Sequence, residues 1–181
     1  MERVRLEDSV CSQLSRTMNI FLTGLPGAGK STILDRMLAE LSPAGVGGFF
    51  TTRAITPESR TFWLHDRITR ESCHMATFTD GSAKVNLAAF EPFALNSITR
   101  PCELLVLDEL GRFEEPCAAF KSAVHAALDS AAPVLGVLKV SDTPFVRSIA
   151  ERGDVHVVTV TEQTRDSAYR EFVNVFLTNC A

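Results

Sequence analysis

The amino-acid sequence predicts an α/β fold: a three-layer sandwich around a mostly parallel central sheet, with a β-rich insertion after the first helix. Three observations predict it. The runs "ELLVLD" (103–108) and "APVLGVLKV" (132–140) are continuously apolar, as strands buried on both faces are. Segments with apolar residues at helical spacing fall between such runs, and strands alternating with helices feed a parallel sheet. Residues 46–80 instead hold several short strand-like stretches separated by turn residues.

The elements follow in order. "NIFLTG" (19–24) is a short strand ending in glycine. "KSTILDRMLAEL" (30–41) sets Ile33, Leu34, Met37, Leu38 and Leu41 on one helical face, and Pro43 and Gly45 stop it. "GGFFTTRAI" and "RTFWLHDRI" form a hairpin across "TPES", with "SCHMATF" as a third strand before the turn "TDGS". "LAAFEPFALNSI" reads as a helix that takes Pro92 in a first turn starting near Phe90. "ELLVLD" is the next buried strand, with Asp108 at its end. "PCAAFKSAVHAALDS" is a helix facing inward through Ala119, Phe120, Ala123, Val124 and Ala127. After "APVLGVLKV" come a short helix, "TPFVRSIAERG", and a last strand, "VHVVTV". "TEQTRDSAYREFVNVFLTNC" closes as a helix capped by Thr161, with Glu162 in its first turn and a stripe of Tyr169, Phe172, Val173 and Phe176.

The 181 residues suit one domain, over 18–181, preceded by a charged N-terminal extension over 1–17. A net charge of −4 argues against a protein that holds nucleic acid by bulk charge. The five cysteines show no metal-binding spacing and suit a reducing, cytoplasmic setting. No apolar run approaches the ~18 residues of a membrane span.

"GLPGAGKS" (24–31) fits the pattern G-x-x-x-x-G-K-[ST], between a predicted strand and a predicted helix. The expected phosphate-binding residues are Gly24, Leu25, Pro26, Gly27, Ala28, Gly29, Lys30, Ser31 and Thr32. Glycines let backbone N–H groups turn toward one anion, and the helix N-terminus adds partial positive charge. Lys30 reaches the β- and γ-phosphates, and Ser31 can ligate Mg²⁺.

"LDELGR" (107–112) sets two adjacent acids at a strand end. After such a loop, Asp108 is the expected metal residue and Glu109 the expected base for an attacking water; an indirect role beside the metal and a structural ion pair are the other readings of Glu109. Arginines that can offset phosphoryl charge are Arg53, Arg60, Arg67, Arg70, Arg112, Arg147, Arg152 and Arg165. By position Arg112 comes first. Arg165, at a strand-to-helix junction, comes next as a surface for a nucleotide base.

With these motifs in hand, the chain resembles the cancer-related, or THEP-type, nucleoside-triphosphatase family from about Met18 to Asp166. "FLTGLPGAGKST", "GGFFT", "VNLAAFEPFAL", "LVLDELGRFE" and "VTVTEQTRD" match its motifs in order. Arg112 stands where the family has Lys, and Thr164 where it has Asn. The resemblance implies a cytosolic P-loop enzyme that hydrolyses ATP, GTP and other nucleoside triphosphates with Mg²⁺. Lys30, Ser31, Asp108, Glu109, Arg165 and Asp166 match motif residues. Two other readings stay open: a nucleotide or small-molecule kinase whose acceptor site is the β-rich segment, and a non-catalytic nucleotide sensor.

Overall fold

The computed structural model describes residues 19–179; the N-terminal extension expected over 1–17 lies outside them. Eight strands form one sheet: β1 (Asn19–Thr23), β2 (Val46–Ile55), β3 (Ser59–Asp66), β4 (Ser72–Thr79), β5 (Ser82–Val85), β6 (Leu104–Leu110), β7 (Val134–Leu138) and β8 (Val155–Thr159). Their order across the sheet is β5-β4-β3-β2-β6-β7-β1-β8. The pairs β2–β6, β6–β7, β7–β1 and β1–β8 are parallel, while β2–β3, β3–β4 and β4–β5 are antiparallel. The β-rich insertion is therefore a lateral extension of the parallel sheet. β2 belongs to both halves: Val46–Phe49 pair with β6, and Phe49–Ile55 pair with β3.

The parallel strands are buried on both faces because their apolar residues alternate between two cores. Ile20, Leu22, Leu104, Val106, Leu135 and Val137 meet Ile33, Leu34 and Met37 of α1 (Lys30–Leu41) and Ala168, Tyr169 and Phe172 of α5 (Arg165–Asn179). Phe21, Leu105, Leu107 and Val134 point the other way. There they meet Ile98 of α2 (Leu95–Thr99), Phe120, Val124 and Leu128 of α3 (Ala118–Leu128), and Phe145, Val146 and Ile149 of α4 (Pro144–Ala150). These are the two outer layers of the expected sandwich. Among the described residues no helix is long and apolar enough to cross a membrane.

Four local expectations change. The helix expected over 87–98 is three pieces: a 3-10 turn (Leu87–Ala89), a π turn (Phe90–Ala94) and α2. Pro92 lacks the N–H an uninterrupted α-helix needs there, and a single wider turn absorbs the loss. The turn "TDGS" leads into an edge strand, β5, that its polar composition hides. Ala119 faces solvent, while Phe120, Ala123, Val124 and Ala127 pack inward as expected and Leu128 joins them. α5 begins at Arg165, because Thr161 and Thr164 exchange N–H to hydroxyl hydrogen bonds (3.0 and 3.2 Å) and close a separate turn first.

Candidate functional site

β1 and β6 deliver the two sequence motifs to the same edge of the sheet, separated by β7. One cleft of about 710 Å³ joins them, lined by Gly27, Gly29, Lys30, Ser31, Thr32, Thr51, Asp108, Glu109, Arg112 and Lys139 among others.

The loop after β1 turns through positive φ at Gly24 (143°), Gly27 (85°) and Gly29 (98°). At Gly24 a Cβ would lie 2.2 Å from the Val160 carbonyl oxygen, so only glycine lets β1 run this close to the end of β8. Gly29 caps α1 without any side chain bonding its first N–H groups, which remain open to an anion. Lys30 donates to the carbonyls of Gly24 (2.8 Å) and Leu25 (2.9 Å). Burial pulls its ammonium below the ordinary lysine value, and Glu109 and Asp108 push it back. Ser31 and Thr32 are exposed at the mouth.

Arg165 lies against this loop. Its Nε donates to Ala28 O (2.8 Å) and its Nη2 to Gly27 O (2.9 Å). The guanidinium holds the loop's backbone from outside, giving two of its five N–H donors to carbonyls.

The acidic pair needs a special backbone. In a regular strand, neighbouring side chains point to opposite faces. Here β6 continues past Asp108 to Leu110, and its register breaks: Asp108 pairs with Val137 but Leu110 pairs with Leu138. Glu109 falls at this register shift, where the strict alternation of strand faces is interrupted. Both acids line one cleft. The strand was expected to stop at Asp108; the register shift is what sequence periodicity does not reveal.

Asp108 is 7% exposed, and Thr51 Oγ1 donates to its carbonyl at 2.9 Å. Among the described residues no side chain hydrogen-bonds or ion-pairs with its carboxylate. Its pKa is raised to about 7, chiefly by burial and then by Glu109 and Asp35, against the pull of Arg67 and Lys30. A buried acid destabilised in this way is a place where a cation is favoured.

Glu109 is partly exposed, and its Oε2 lies 3.0 Å from Nζ of Lys139, the residue after β7. Lys139 escapes the sequence reading because it ends an apolar strand with no motif around it. Its position between β1 and β6 is a matter of strand order, which a linear sequence does not carry. The Lys139 ammonium also sits over the rings of Phe62 (5.4 Å) and Phe113 (5.3 Å). Glu114 is 2% exposed and accepts the Gly111 N–H at 2.9 Å, fixing the loop after the pair. Burial raises its pKa to about 7.

Of the other candidate arginines, Arg53, Arg60 and Arg112 line the cleft. The Arg112 guanidinium rests over Phe113 at 5.3 Å. Arg67 lies over Phe50 at 5.2 Å and within electrostatic reach of Asp108. Arg147 pairs with Asp142, and Arg152 with Asp129 and Asp154, outside the cleft.

Comparison with known proteins gives a consistent picture. A family model described as NTPase matches residues 19–173. The chain is 30% identical over 171 residues to the nucleoside-triphosphatase THEP1 of Thermotoga maritima, covering 90% of this chain and 97% of that one. It is 34% identical over 162 residues to the protein of the same name from Thermofilum pendens, covering 82% and 89%. The solution structure of a human cancer-related nucleoside triphosphatase superposes with a TM-score of 0.72 at 25% identity, over 90% of this chain and 98% of that one.

Proposed function

Because the chain belongs to the NTPase family, whose model spans residues 19–173, we propose that it is a cytoplasmic, Mg²⁺-dependent phosphohydrolase that cleaves ATP, GTP and other nucleoside triphosphates to the diphosphate and phosphate. The observation that carries this reading is that Glu109, at the register shift of β6, lines the cleft beside Asp108, facing the N-terminus of α1.

In this reading the loop N–H groups and Lys30 hold the phosphates. The Ser31 hydroxyl and the Asp108 carboxylate are hard oxygen donors of the kind Mg²⁺ accepts, with substrate phosphates completing the shell. The unpaired, buried state of the Asp108 carboxylate fits a cation there. Held by Ser31 and Asp108, Mg²⁺ would supply charge neutralisation to the phosphate oxygens. Glu109 accepts the proton of the attacking water, and Lys139 fixes the orientation of its carboxylate. Arg112 borders the γ-phosphate end of the cleft and can offset charge on the transferring group.

Phosphate release measured with ATP, GTP, CTP and UTP, with and without Mg²⁺, tests the reading. Release from several triphosphates that depends on Mg²⁺ is expected. No release above the uncatalysed rate from any of them would contradict it.

A further inference from the structure

We propose that the antiparallel extension and the loop after the acidic pair form a second ligand site, for a planar organic phosphate, opening onto the phosphate-binding cleft. The register of the hairpin builds it. Arg53 stands opposite Phe62, and Arg60 opposite Phe78. Side chains on one face recur every second residue, so Thr51, Arg53, Arg60, Phe62 and Phe78 share a face. That face closes the far side of the cleft from Lys30 and Ser31.

Phe113, from the loop after β6, completes an aromatic wall. Ring centroids are 5.6 Å apart for Phe62–Phe78, 5.4 Å for Phe78–Phe113 and 6.5 Å for Phe62–Phe113. Phe62 and Phe78 remain half-buried. Cations rim the wall: Arg60 lies 5.6 Å from the Phe78 centroid, and Arg112 lies 5.3 Å from that of Phe113.

The charge is not balanced within the protein. The chain has 22 acidic and 18 basic residues. Among the described residues Arg53, Arg60 and Arg112 make no ion pair, as is also true of Arg67, Arg70, Arg165 and Arg170; what sets the first three apart is that they line the cleft together. A guanidinium laid over a ring keeps its edge N–H donors for a phosphate. Lys139 also lies over Phe62 and Phe113, so each ring carries a cation, and the half-buried Phe62 and Phe78 leave the apolar surface that a ligand's ring would meet. One molecule that carries both groups answers both features. The Lys30 loop accounts for a triphosphate chain, and Glu109, Arg112 and Lys139 line the same cleft as the aromatic wall. The second ligand would therefore face the γ-phosphate end. The alternative, in which the arginines only cover apolar surface with their stems, predicts an empty lobe.

The site rests on the cleft's geometry and holds whether or not the chain hydrolyses nucleotide, so it is tested by binding. The full chain is saturated with Mg²⁺ and a non-hydrolysable triphosphate analogue, then titrated calorimetrically with AMP, CMP, GMP, UMP, ribose 5-phosphate and inorganic phosphate. At least one nucleoside monophosphate is expected to bind while the analogue stays bound, and ribose 5-phosphate about tenfold or more weakly for want of a ring. Arg60→Ala and Phe78→Leu are each expected to weaken that binding about tenfold and to leave analogue affinity unchanged. Arg60 is exposed, so its replacement tests the site without disturbing the core. Absence of binding by every monophosphate, displacement of the analogue, or wild-type binding by Arg60→Ala would each overturn the proposal.

Discussion

Nζ of Lys139 lies 3.0 Å from Oε2 of Glu109, tying the end of β7 to the register shift in β6. The stem of Lys139 packs on Gly111, where a Cβ would meet its Cδ at 2.8 Å. The proposed water-activating acid is therefore oriented by a cation whose own placement depends on a glycine. Lys139→Met is expected to lower kcat by about 10²-fold, the scale of losing one oriented charge at a reacting centre. KM for the Mg²⁺ complex should change little. Gly111→Ala should reproduce part of the loss. Steady-state phosphate release with both variants checks this.

Arg165 hydrogen-bonds to the backbone of the loop at Gly27 and Ala28. Losing its two hydrogen bonds to Gly27 O and Ala28 O should cost about 1–3 kcal/mol of loop order. Arg165→Ala is expected to weaken binding of a fluorescent triphosphate analogue about tenfold or more. Arg165→Lys should not rescue it, since an ammonium lacks the two-pronged geometry. A stacking role toward the base would instead change the ranking of ATP, GTP, CTP and UTP.

Glu114 predicts how stability changes with pH. Burial raises its folded-state pKa from the ordinary glutamate value to about 7, with Glu109 adding to the rise and Lys139 opposing it. The folded state therefore holds a proton that the unfolded state has released. Its contribution is intact at about pH 4.5 and falls as pH rises to about 7. The two pKa values imply about 3 kcal/mol over that window. Glu114→Gln keeps an acceptor for the Gly111 N–H and carries no charge. Urea unfolding across this range should show the variant losing Glu114's share of the decline, while that of Asp108, also raised to about 7, remains, and exceeding wild type above neutral pH.

The parallel half of the fold was legible because strands buried on both faces read as apolar runs, and α1 and α5 carry clear helical stripes. The phosphate loop was legible because its chemistry is contiguous. What escaped depends on tertiary placement. β5 is a polar edge strand with little sequence signature. The turn at Pro92 replaces a regular helix. The register shift at Glu109 breaks the period-two rule that a sequence reading must assume. Lys139 joins the site only because β7 lies between β1 and β6. The arginines of the insertion divide by strand face: Arg53 and Arg60 enter the cleft, while Arg67 leaves the end of β3 toward Phe50.

The most direct test of the account is Glu109→Gln, compared with wild type in single-turnover hydrolysis of ATP and in equilibrium binding of a non-hydrolysable analogue. The account predicts near-unchanged binding and a chemical step slower by ~10²–10⁴-fold, the usual span for a lost general base. Hydrolysis by the variant at the wild-type rate would contradict it.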